Sequence, residues 1–143
     1  MKIQYDDGGR AWAGWRGTAG DCVVRAIAIA TGKPYQEVYD SLNALRCSMR
    51  QTKRVRGSSA RNGTNRAIYE RYLKALGWKF FPTMTIGSGC RVHLKSDELP
   101  GGRIICRVSR HLVSVIDGVI HDTHDCSRGG TRCVYGYYQE AKS

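Results

Sequence analysis

Apolar and polar positions divide the chain into two unlike halves. Residues 1–20 carry glycine at 8, 9, 14, 17 and 20, with no apolar period, and read as an extended arm. "CVVRAIAIA", from Cys22, is apolar nearly all round with Arg25 its only charge, the pattern of a central buried helix. Asp21 stands where a helix N-cap would, and Thr31-Gly32 end the run. Pro34 opens a second, amphipathic helix over roughly 34–45. A third is predicted over about 65–76, with Ile68, Tyr72, Leu73 and Leu76 on one side and Gly77 closing it.

From Trp78 onward the period changes. "WKFFPTM", "RVHL", "GRIICRVS", "HLVSVI", "VIHDTH" and "RCVYGYY" are short β-branched or aromatic runs separated by turn residues. Pro82 assigns the first to a sheet edge or strand end. Helices followed by an antiparallel sheet make an α+β plan. With 143 residues, no internal repeat and no linker, one domain over 1–143 is expected.

Asp117-Gly118 joins two of the runs as a two-residue hairpin loop. The register that follows pairs Ile116 with Val119, Val115 with Ile120, Ser114 with His121 and Val113 with Asp122. Leu112 would then meet Thr123, and His111 would meet His124. Alternation puts His111, Val113, Val115, Ile120, Asp122 and His124 on one face and His121 on the other. Asp122 is then a diagonal neighbour of His111. A carboxylate that holds one ring N–H leaves the other imidazole nitrogen to exchange a proton with a thiol. Cys22, at a helix start, is the candidate thiol, because partial positive charge at a helix N-terminus favours a thiolate. The structural alternative is plain: cysteine is often simply a small core residue. His124 is a rival base.

"GDCVVRAIAIATG" and "HLVSVIDGVIHDT" together resemble the papain-like cysteine peptidases, and most nearly the compact bacteriocin leader peptidases. "DCVVRAIAIATGKPY" is also similar to small phage and bacterial proteins of this type. The resemblance implies a papain-like fold, with a helical half packed on an antiparallel sheet. It implies Cys22 as nucleophile, His111 as base, Asp122 as orienter, a protein or peptide substrate, and a possible phage origin with a host target. That family carries an oxyanion-donating glutamine about six residues before the cysteine. Here position 16 is Arg and the only earlier glutamine is Gln4, so Arg16, Thr18 or the Cys22 backbone N–H would have to donate.

Charge adds a second theme. The formal net charge is +11, which favours anionic partners such as nucleic acid or an acidic protein surface. Residues 46–66 hold Arg46, Arg50, Lys53, Arg54, Arg56, Arg61 and Arg66 and no acid, in a segment that reads as loop. Arg50, Lys53, Arg54, Arg56 and Arg61 are the candidate anion-binding residues. Without interleaved aromatics, contact with phosphate or acidic protein is expected rather than base reading. Gly63-Thr64 before the third helix could offer an anion site, although capping is the simpler role. The alternative to an acyl-transfer enzyme (peptidase, deamidase or amidase) is thus a non-catalytic binding or inhibitor protein acting through 46–66.

The remaining chemistry is sparse. His121, His124, Cys126 and Cys133 could be read as a zinc set, but their spacing matches no zinc signature, so neither metal nor cofactor is expected. Cys47, Cys90 and Cys106 read as core or incidental thiols in a reduced chain. "MKIQYDDGGR" lacks the apolar core of an export signal, and no apolar run is long enough to span a membrane. A soluble cytoplasmic protein without a membrane partner is the expectation.

Overall fold

The computed structural model describes residues 2–15, 20–61, 63–85 and 87–141. Among these, one six-stranded sheet is packed by helices on one face and by loops on the other. The elements are β1 (Ile3–Tyr5), α1 (Cys22–Thr31), α2 (Tyr35–Ser48), α3 (Lys53–Arg56) and α4 (Arg66–Ala75). They are followed by β2 (Trp78–Pro82), β3 (Arg103–Val108), β4 (His111–Ile116), β5 (Val119–Asp122) and β6 (Gly136–Glu140). The strand order is β1-β5-β4-β3-β6-β2. An α+β organisation is therefore present. The sheet is mixed rather than antiparallel, because β1 runs parallel to β5, with Ile3 opposite Ile120 and Tyr5 opposite Asp122.

Helix α1 is buried on nearly all sides because it lies between the sheet and α2. Val24 and Ile27 are fully buried and pack in one core with Val38, Leu42, Ile68, Ile105, Leu112 and Tyr138. Removing the Ile27 side chain beyond Cβ would cost about 2–5 kcal/mol. Gly32 ends the helix in the left-handed region at φ 74°, and its N–H closes onto Ala28 O. Arg103 Nη1 donates to Ile29 O at 3.1 Å, tying the start of β3 to the end of this helix.

The other sheet face carries a second core of Ile104, Cys106, Val108, Val113, Val115 and Ile120, covered by Leu94, Cys126 and Val134 from the long loops. The β4–β5 hairpin has the expected register: Ile116↔Val119, Val115↔Ile120 and Ser114↔His121. Asp117 and Gly118 both have positive φ, 48° and 78°, as a primed two-residue turn requires. The ladder stops there, so the pairings expected beyond it (Val113 with Asp122, Leu112 with Thr123, His111 with His124) are not sheet pairs. Asp122 is the last strand residue.

Several expectations are corrected. The N-terminal arm contributes an edge strand, because Gln4 and its neighbours borrow the free edge of β5. Residues 46–66 are not all loop: α2 continues to Ser48, and Thr52 caps the single turn α3 by accepting from the Val55 N–H. "RVHL" is no strand, and makes only the isolated bridge His93↔Cys133. "RCVYGYY" becomes regular only at Gly136. Cys90 is not a free thiol but forms a disulfide with Cys133, with Cα atoms 5.8 Å apart, where the loop after β2 lies against the segment before β6. Asp21 sits at the N-cap of α1 without a side-chain capping bond, because its carboxylate is engaged elsewhere. No helix among the described residues is long and apolar enough to cross a membrane.

Candidate active site

The N-terminus of α1, the β3–β4 turn and the end of β5 converge on one cleft. Cys22 is the first residue of α1, and His111 the first of β4. By alternation His111 and Asp122 belong to the sheet face of Val113 and Ile120, opposite the face of Leu112 that α1 covers. Both lie at strand ends, which lets them meet a residue of α1 at the end of the sheet.

His111 Nε2 donates to Asp122 Oδ2 at 2.7 Å. The second Asp122 oxygen accepts from the Thr123 backbone N–H at 2.7 Å and lies 3.8 Å from Arg25 Nη2. With Nε2 held by the carboxylate, Nδ1 is the ring nitrogen left for a thiol. Cys22 is half-buried and lines the same cleft as His111, which acts on its thiol.

The electrostatics follow from these contacts. Burial raises the Cys22 thiol pKa. The hydrogen bond and charge of His111, the Leu112 backbone and the charge of Arg25 outweigh it and leave the thiol below its ordinary value. Burial depresses His111, but its bonds to Asp122, Cys126 and Cys22 carry it up to about 11. Burial raises Asp122, and the His111 bond, the Thr123 amide and the nearby cations return it below the usual carboxylate range. All three shifts favour a thiolate–imidazolium–carboxylate arrangement.

Asp21 anchors this arrangement from behind. Its carboxylate, 1 % exposed, accepts from Tyr35 Oη at 2.6 Å and lies 3.0 Å from Arg10 Nε and 3.4 Å from Arg25 Nη1. Two guanidiniums thus offset the negative charge next to Cys22. Asp21 also holds Arg25 where it reaches Asp122 and Thr123 Oγ1. Gly8 permits the N-terminal segment to lie on α1: a Cβ there would sit 3.1 Å from Arg25 O.

The other sequence candidates separate. His124 is exposed, its ring centroid is 5.5 Å from that of His111, and its Nδ1 meets only Thr123 Oγ1, at 3.3 Å. The ligand atoms of His111, Asp122 and His124 lie within 4.8 Å of one another, a spacing that would also accept a cation. The four-residue zinc set is not assembled, because Cys133 is in a disulfide and His121 turns away to Asp6 Oδ2 at 3.5 Å. Gln4 is exposed in β1, and its side chain bonds Tyr5 O. Arg16 and Thr18 lie outside the described residues. Arg50, Lys53 and Arg61 are exposed, and the side chains of Arg54 and Arg56 lie outside the described part. Asn65, rather than Thr64, caps α4 by accepting from the Ala67 N–H.

Two elements of the site carry no local sequence signal. Arg107 and Arg110, from β3 and its turn, line the cleft with Arg25 and Arg66. Cys126 is buried and is among the groups that raise His111. The cleft encloses about 570 Å³. The chain matches no protein-family model, no curated protein and no solved structure.

Proposed function

We propose that the protein is a cysteine-dependent acyl-transfer enzyme of papain-like type, acting on an amide or peptide carbonyl. The carrying observation is the 2.7 Å His111–Asp122 hydrogen bond in the cleft that also contains a Cys22 thiol lowered by His111. The Cys22 thiolate attacks the carbonyl carbon, forming a C–S bond and an oxyanion. The Cys22 backbone N–H, at the start of α1 where helix N–H groups have no partner within the helix, supports an oxyanion there. His111 Nδ1–H gives its proton to the leaving amine as the C–N bond breaks, leaving a thioester. Water then loses a proton to His111 and attacks the thioester. The acid departs and the thiolate returns. Asp122 keeps the ring oriented and its positive charge stabilised throughout.

A burst assay with p-nitrophenyl acetate tests this reading. The wild-type chain is expected to release one equivalent of nitrophenol rapidly and to carry the acetyl group on Cys22 by peptide mass mapping. Cys22→Ala is expected to show no burst. A burst that survives Cys22→Ala would overturn the proposal.

A non-catalytic reading draws on the exposed cations Arg50, Lys53 and Arg61. In that case partner capture would survive Cys22→Ala and be lost on charge reversal of Arg50 and Lys53.

A further inference from the structure

The cleft wall beyond Cys22 and His111 carries four arginines, Arg25, Arg66, Arg107 and Arg110, and no carboxylate. Two of these are committed: Arg25 to Asp21 and Asp122, and Arg66 to Glu70 at 2.7 Å. Arg107 and Arg110 have no ion-pair partner among the described residues. Arg107 is half-buried, with its guanidinium 5.7 Å from the Tyr135 ring centroid, so the aromatic face holds it in place without neutralising it. Arg110 occupies the β3–β4 turn at φ 56°, next to His111 in the chain. Uncompensated guanidiniums on the wall of a concave site suit a carboxylate, which they can grip through paired N–H donors.

The cleft does not end at these arginines. A second hollow of about 360 Å³ shares Arg66, Arg107 and Tyr135 with it and continues to Phe80, Pro82 and Met84. The path from Cys22 is therefore cationic first and apolar beyond. Phe80 and Tyr135 already carry guanidiniums over their faces, at 5.6 and 5.7 Å, so neither offers a free platform for a nucleic-acid base.

We propose that this groove binds an acidic peptide segment, with a side-chain carboxylate on Arg107 and Arg110 and a neighbouring bulky apolar side chain against Phe80, Pro82 and Met84. This names the substrate class of the Cys22 site and rests on the acyl-transfer reading for the chemistry that follows binding. The binding itself needs no chemistry and is testable separately.

The experiment is fluorescence anisotropy on full-length Cys22→Ala protein with capped peptides bearing a neutral fluorophore. One contains adjacent Leu and Glu, the second Leu and Gln, the third Gly and Glu. The Leu-Glu peptide is expected to bind about 10-fold or more tighter than either relative, as charge-assisted hydrogen bonds and apolar burial would each provide. Arg107→Gln and, independently, the exposed-turn variant Arg110→Gln are expected to remove most of the preference for Glu over Gln. Met84→Ser should reduce the preference for Leu over Gly. Lys74→Gln, an exposed charge outside the groove, should change none of these ratios. Equal affinity for the Glu and Gln peptides overturns the proposal. So does an equal loss in Lys74→Gln, which would mark net charge alone, or displacement of the peptide by an equimolar oligothymidylate. A wild-type chain without a nitrophenyl acetate burst that still prefers the Leu-Glu peptide would refute the acyl-transfer reading and leave the groove assignment standing.

Discussion

Asp122 Oδ2 and His111 Nε2 lie 2.7 Å apart, from the last residue of one hairpin strand and the first of the other. That bond fixes which nitrogen of the ring faces the cleft. It is also the leading influence raising His111, against burial. Asp122→Asn keeps the shape and removes the charge. In that variant the His111 pKa, followed by NMR titration of the ring protons, is expected to fall from about 11 toward the ordinary histidine range. Acyl transfer should fall by roughly 10²–10⁴, the scale of a lost general acid–base function.

The same pair sets a pH dependence of stability. His111 is raised on folding, so its contribution is full below about pH 6.5, its unfolded value, and is lost as pH rises through about 11. Asp122 is lowered, so its contribution is present above the unfolded value of 3.8 and is lost as pH falls through the folded one. The difference in urea midpoint between wild type and His111→Ala is therefore expected to shrink between about pH 6.5 and 11. The difference between wild type and Asp122→Asn should shrink below pH 4. Differences that hold constant across both windows would contradict the assignment.

Behind the site, Asp21 is a buried anion between Arg10, Arg25 and Tyr35. Asp21→Ala leaves two guanidiniums without their carboxylate, and such a loss costs about 3–5 kcal/mol. Chemical denaturation should register it, and Arg25 should lose its fixed position toward Asp122. Tyr35→Phe, which removes only the hydroxyl donor, is expected to cost about 1 kcal/mol.

Gly136 marks a close approach at the groove. A Cβ there would strike the Phe80 ring and lie 2.9 Å from Phe81 O, at the point where β6 pairs with Pro82. Gly136→Ala is expected to destabilise by about 1–3 kcal/mol through overpacking. It should also disturb Leu-peptide binding through displaced Phe80, which equilibrium unfolding and anisotropy would each detect.

The parts of this architecture that were legible in the sequence are those set by local rules. Helix α1 was visible as an unbroken apolar run closed by Gly32. The β4–β5 hairpin was visible because Asp117-Gly118 admits one turn type and so one register. His111 and Asp122 followed from period-two alternation. Features that depend on distant pairing were hidden. β1 is short and exposed, and forms only because β5 offers a free edge more than one hundred residues away. Cys90 and Cys133 are 43 residues apart with no framework spacing to link them. Asp21 looked like a cap because its real partners, Arg10 and Tyr35, are brought to it by tertiary packing. The cationic cleft has no local signal either: charge density peaks over 46–66, whereas Arg107 and Arg110 sit singly in a β-branched run.

The central claim is that His111 holds Cys22 as a thiolate, and alkylation kinetics test it most directly. Labelling of Cys22 by iodoacetamide, separated from that of exposed Cys47 by peptide mapping, should be followed from pH 4 to 10. The predicted midpoint lies below the ordinary thiol value of 9.0. In His111→Ala the midpoint should rise, because the two largest influences opposing burial are gone and only the Leu112 backbone and the Arg25 charge remain against it, with labelling below the midpoint slowed by about 10-fold for each unit of upward shift. A Cys22 midpoint at or above 9.0 in the wild type, or one unchanged by His111→Ala, would contradict the account.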